Sequence, residues 1–141
     1  MNDGTLAVLS VEDCWRLVAD AGVGRIAVSR DREAPIVVPV NYVVEDRTIV
    51  FRTGSGTKLS LLHDRPISFQ LDHVDPAKRT GWSVLVRGVA VVEERVCDPD
   101  AAPVPWSGGV GRRTLVRLWP SSVSGRRLDA TEHDWDSHGY L

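Results

Sequence analysis

The chain has little cysteine, a single methionine, and no surplus of charge. Its 141 residues hold 17 Lys and Arg against 19 Asp and Glu, for a formal net charge of −2. Two cysteines, Cys14 and Cys97, are too few and too far apart for a disulfide framework, and no Cys/His spacing matches a zinc site. Basic residues gather only as the pairs Arg112-Arg113 and Arg126-Arg127, so neither nucleic acid nor an anionic membrane is an expected partner. No apolar run approaches the roughly 20 residues that span a bilayer. The opening "MNDGTLAVLSVEDCW" has neither the basic start nor the apolar core of a secretory signal. These absences point to the cytoplasm and reduced thiols. No internal repeat and no nucleophile–base–orienter triad can be read.

What is present is an ordinary globular composition, 43% apolar and 26% charged, long enough to bury a real core in one domain. Residues 1–9 read as a flexible lead, 10–128 as a single domain, and 129–141 as a polar tail. Ser10 offers a helix N-cap with Asp13 three residues on, and Val11, Cys14, Trp15, Val18 and Ala19 fall on one helical face. Gly22 is the expected left-handed cap. From there the period changes to two. "GRIAVS", "APIVVPVNYVV", "TIVFRT", "PISFQLD", "WSVLVRGVAVVEE" and "RRTLVRLWP" read as strands. Pro39 requires an edge, bulge or bend in the second, and Gly88 a bulge or sharp bend in the fifth. The strands follow too closely for βαβ crossovers. The expected fold is mainly β, an antiparallel barrel or sandwich.

The segment "FRTGSGTKLSLL", residues 51–62, hands a strand over to a Leu-rich run through Gly54-Ser55-Gly56. A plain connector with Thr57 as N-cap is one reading. The other is a phosphate cradle, because a helix start has free N–H groups and partial positive charge, and glycines admit close approach. Thr57 and Lys58 would supply a hydroxyl and a cation, and Arg52 and Thr53 a bidentate donor and a second hydroxyl. The glycine spacing fits neither a nucleotide-triphosphatase loop nor a dinucleotide fingerprint. A monophosphate fits better.

"CWRLVADAGVGRIAVS", "VPVNYVVEDRTIVFRTGSGTKL" and "RTGWSVLVRGVAVVEE" together resemble the flavin-binding split-barrel superfamily, and more narrowly its pyridoxamine 5'-phosphate oxidase-like members. The resemblance implies a six-stranded antiparallel split β-barrel with a few short helices, assembled as a homodimer with FMN between subunits. It assigns Arg52, Thr53, Thr57 and Lys58 to the FMN phosphate. Val40 and Asn41 would run beside the isoalloxazine ring through backbone groups and the Asn amide. Trp82 and Ser83 would lie near the ring, reaching across the dimer. The activity implied is hydride or electron transfer with a small organic substrate. A deazaflavin coenzyme in the same cleft is an alternative, as is a non-enzymatic flavin or haem carrier or sensor. Pyridoxamine 5'-phosphate oxidation itself is not expected. Ile36 and Asn41 stand where that enzyme has a basic residue and a lysine, and "GRRLDAT" lacks its Arg-x-His motif.

Among other residues, His63 shares a helical face with Leu59 and Leu62 and reads as structural, while His73 in "DHVDP" reads as part of a turn. His133 and His138 fall in the tail. Trp15 reads as core, and Trp106 and Trp119 as core or interface packing.

Overall fold

Helix α1 (Val11–Ala19) starts where the sequence predicts. Ser10 is extended, with φ −68 and ψ 159, and its Oγ accepts a hydrogen bond from the Asp13 N–H at 3.1 Å. Glu12 and Asp13 in the first turn complement the helix dipole. Cys14, Trp15 and Val18 form the buried face, whereas Val11 and Ala19, expected on it, are exposed because they lie at the helix ends beyond the barrel's cover. The helix ends earlier than expected, on Asp20 in right-handed conformation (φ −85, ψ −10), and Gly22 does not take up the left-handed one. No reversal is needed there, because the Gly22 carbonyl already accepts from the Tyr42 N–H at 3.1 Å and leads straight into the sheet.

The computed structural model describes residues 5–20, 22–53, 62–96 and 114–129. Seven strands follow in chain order: β1 (Thr5–Val8), β2 (Val23–Val28), β3 (Ile36–Glu45), β4 (Thr48–Thr53), β5 (Arg65–Asp75), β6 (Thr80–Val96) and β7 (Thr114–Asp129). Every pairing is antiparallel. Six strands close a barrel in the order β7-β4-β3-β2-β5-β6, with β6 pairing back onto β7. β1 pairs with the far end of β7, so Thr5–Val8, within the expected lead, is a strand. The expected mainly-β barrel is therefore present. Among the described residues it carries one helix longer than a turn, and the second expected helix, opening at Thr57, lies outside them.

Alternation fills the barrel. Ile26, Val40, Tyr42, Phe51, Phe69 and Val86 point inward, and α1 closes one end with Trp15 and Val18. Pro39 is accommodated because β3 is paired one half at a time. Ile36–Asn41 face β2, whereas the register with β4 begins only at Tyr42. On its β4 side Pro39 therefore meets no described strand, so its missing N–H costs no ladder bond.

Gly88 marks a register shift, as its position in the long strand predicts. Gly88 faces Pro120 and Arg87 faces Ser122, leaving Ser121 over; its Oγ donates to the Arg87 carbonyl at 3.0 Å. β7 runs on past that bulge to Asp129. The sequence reading stops the strand at Pro120, since "SSVSG" has no alternation to betray it. No helix among the described residues is long and apolar enough to cross a membrane.

Candidate functional site

Outward-facing side chains form a belt around one level of the barrel. Phe51 of β4 pairs with Tyr42 of β3, so the next step sets Arg52 beside Asn41. Arg52 pairs on its other side with Leu115, and Thr53 with Thr114. Both Arg52 and Asn41 are half-buried, and the amide oxygen of Asn41 is out of solvent. Val40 is buried in the core, so only its backbone is available to a ligand there. Alternate backbone groups of β3 from Ile36 to Val40 point to the β4 side, where no described strand pairs with them.

Trp82 and Ser83 lie elsewhere, on β6. Ser83 pairs with Asp72 of β5 and Arg126 of β7. From β3 to β6 there are three interstrand steps, roughly 14 Å along the sheet. The structure thus brings Arg52, Thr53, Val40 and Asn41 together on β3 and β4, and keeps Trp82 and Ser83 apart from them within one chain. Neighbouring residues on a strand also face opposite ways. Trp82 packs against the core, its ring 6.3 Å from that of His73, whereas Ser83 faces outward beside Arg126. Thr57 and Lys58 lie outside the described residues.

Several features were not legible in the sequence. Arg117 is nearly buried on the outer face and joins four strands. Its Nε donates to Glu93 on β6, its Nη2 to Glu45 on β3 at 2.9 Å, and its Nη1 to the Thr48 hydroxyl on β4 at 2.6 Å. The hydrogen bond to Glu93, above all, raises the guanidinium pKa further. The Trp119 ring lies over this guanidinium, 5.8 Å from its carbon. Tyr42 donates its hydroxyl to the Val18 carbonyl at 2.6 Å, tying β3 to α1, and burial holds the phenol well above its ordinary pKa. Burial, followed by the charge of Asp13, also raises the Cys14 thiol, which keeps it unreactive.

The two described histidines, His63 and His73, have structural places. His63 accepts the Val92 N–H on Nδ1 at 3.3 Å, and its Nε2 lies 3.4 Å from Asp64, so it pins the turn at residues 62–64 to β6. His73 belongs to β5, with the turn beginning only after Asp75. Among the described residues no three His, Cys, Asp or Glu side chains are placed to hold an ion.

Comparison with known proteins agrees with this architecture. The sequence profile of the family described as Pyridoxamine 5'-phosphate oxidase matches residues 10–127. The uncharacterized protein Rv0080 of Mycobacterium tuberculosis is 31% identical over 134 residues, covering 86% of this chain and 85% of its own. Among solved structures, an FAD-binding protein of Mycobacterium smegmatis is 35% identical with a TM-score of 0.69, over 86% of this chain and 99% of its own. A candidate pyridoxamine 5'-phosphate oxidase of Corynebacterium glutamicum is 26% identical with a TM-score of 0.75, over 94% of this chain and 100% of its own. The chain belongs to the pyridoxamine 5'-phosphate oxidase-like family of the flavin-binding split-barrel superfamily.

Proposed function

We propose that this protein is a flavin-dependent oxidoreductase acting on a small organic substrate, and that two copies share each cofactor. The observation that carries the reading is the stretch Ile36–Val40 of β3, which pairs with no described strand on its β4 side and ends near the half-buried Arg52. Such an edge offers alternating donors and acceptors to the pyrimidine side of an isoalloxazine ring. Arg52 offers a charge-assisted anchor for the phosphate, completed by Thr53, Thr57 and Lys58. Asn41 orients the ring from the outer face. When bound, the flavin supplies the hydride and electron chemistry, so the protein needs no acid–base triad. Ser83 and Arg126 are too far round the barrel to share that ligand within one chain, and a second copy would deliver them.

The Mycobacterium smegmatis relative is described as FAD-binding, so FAD stands beside FMN. The two share the ring, the ribityl chain and the first phosphate, which are the parts these residues meet. A visible spectrum of purified protein tests the reading, with a flavin band expected at about 450 nm and a deazaflavin band at about 420 nm. Chromatography of the released cofactor separates FMN from FAD. Combined Arg52→Ala and Lys58→Ala should weaken flavin binding by roughly 2–4 kcal/mol, the scale of lost charge-assisted bonds. Unchanged affinity in that double variant would remove the cradle from the proposal.

A further inference from the structure

Strand β5 pairs with β6 from Asp75↔Thr80 to Arg65↔Ala90, and β6 then runs on alone on that side. Two of its backbone groups there are taken up by residues that belong to no strand. The Ala90 carbonyl accepts the Asp64 N–H at 2.9 Å. Two residues further, the Val92 N–H donates to Nδ1 of His63 at 3.3 Å. Asp64 is left-handed, with φ 57, so the chain leaves its extended course and a side chain stands where backbone would otherwise pair.

Nδ1 accepts a hydrogen bond only in the neutral ring, whose proton then sits on Nε2. Nε2 faces the Asp64 carboxylate at 3.4 Å, so the imidazole is oriented from both sides. The residue before it, Leu62, is 1% exposed and belongs to the core. Leu62, His63 and Asp64 are thus fastened to the barrel by a core contact, a side-chain bond and a backbone bond.

These three residues receive the chain as it returns from β4. Thr53, at the end of β4, is held in register with Thr114, and the described residues resume at Leu62. Residues 54–61 between them include Thr57 and Lys58, the proposed phosphate donors. A segment held at one end only must be ordered by its ligand, and that ordering is subtracted from affinity. We infer that His63 is a positioning residue for the flavin phosphate. Its bond to Val92 fixes the downstream end of the segment that brings Thr57 and Lys58 to the phosphate shared with Arg52. This role rests on the proposed flavin site and adds to it a residue that acts without touching the cofactor. A pin that served stability alone would not distinguish a phosphorylated ligand from one without phosphate.

Titration of the flavin-free full chain with FMN and with riboflavin, which lacks the phosphate, tests the inference. The wild type should prefer FMN. The His63 ring is half exposed, so its bond is a modest one. His63→Ala and His63→Leu, with no acceptor, should weaken FMN binding about fivefold while riboflavin affinity stays within about twofold. His63→Asn, whose amide oxygen reaches the place of Nδ1, should bind FMN like the wild type. Variants that keep the full preference for FMN overturn the inference and leave the flavin site standing. Variants that lose both ligands alike overturn it too, as does His63→Asn binding no better than His63→Ala. A wild type without preference for FMN removes the phosphate cradle itself, and the role of His63 falls with it. Should His63→Ala fail to fold, His63→Leu decides.

Discussion

At Gly88 a single hydrogen in place of a methyl group lets two strands meet. A Cβ built there would lie 1.9 Å from the Trp119 carbonyl oxygen and 2.8 Å from its carbon, both backbone atoms that cannot step aside. Gly88→Ala must part β6 from β7, and we expect a loss of about 3 kcal/mol or more in urea unfolding. Gly125→Ala is the comparison. Its Cβ would meet the Cys14 thiol at 2.7 Å and the Ser83 carbonyl oxygen at 3.0 Å, and the thiol can shift. It should cost less than Gly88→Ala; the reverse order would contradict the rigid closure at the bulge.

Tyr42 makes a second prediction at this scale. Its phenol is held protonated by burial, so the folded pKa lies above the unfolded value near 10. Above about pH 10 the unfolded chain releases this proton and the folded chain keeps it, so stability falls as pH rises through that range. Tyr42→Phe removes this slope, and also the hydrogen bond to Val18, at about 1–2 kcal/mol near neutral pH. Denaturant midpoints for both proteins between pH 8 and 11 should converge as pH rises.

Among the elements, α1 depends on its cap and on the hairpin beside it. Ser10→Ala deletes the bond to the Asp13 N–H and should cost about 1 kcal/mol. The β3–β4 hairpin turns through Asp46 and Arg47, both at positive φ (49 and 56) with no glycine. Left-handed backbone strains an ordinary residue by about 1 kcal/mol or more. The Arg47 side chain answers with an ion pair to Glu12 on α1, but both groups are about half or more exposed, and such pairs contribute about 0–1 kcal/mol. Relief of strain should win, so Arg47→Gly is expected to be neutral or slightly stabilising in thermal unfolding. A clear loss would mean that the contact from hairpin to helix matters more than its exposure implies.

For the whole molecule, the expected signature of function is linkage. A flavin bound only by the native state at 100 times its dissociation constant adds about 2.7 kcal/mol. For a chain of this size that raises the melting temperature by something on the order of 10 °C. Arg52→Ala should lose most of the shift while leaving the ligand-free melting temperature nearly unchanged, because Arg52 sits on the outer face away from the packed core. An equal shift in the variant would remove Arg52 from the site.

Local periodicity carried much of this protein. The cap at Ser10, the core face of α1, the period-two strands and the bulge at Gly88 follow from backbone geometry over a few residues, and those are what a sequence displays directly. Arg52 and Asn41 were legible together because a two-residue hairpin makes their strands neighbours. The remainder was decided by closure of the barrel. Closure set Arg117 between Glu45 and Glu93, residues 72 and 24 positions away, and carried β7 through "SSVSG" because β6 offered a ladder to pair with. It also turned Trp82 toward the core and Ser83 outward, separating them from Asn41. Such contacts join distant parts of the chain, and no local spacing encodes them. They exist only once hydrogen-bonded strands are fixed in register around a common core.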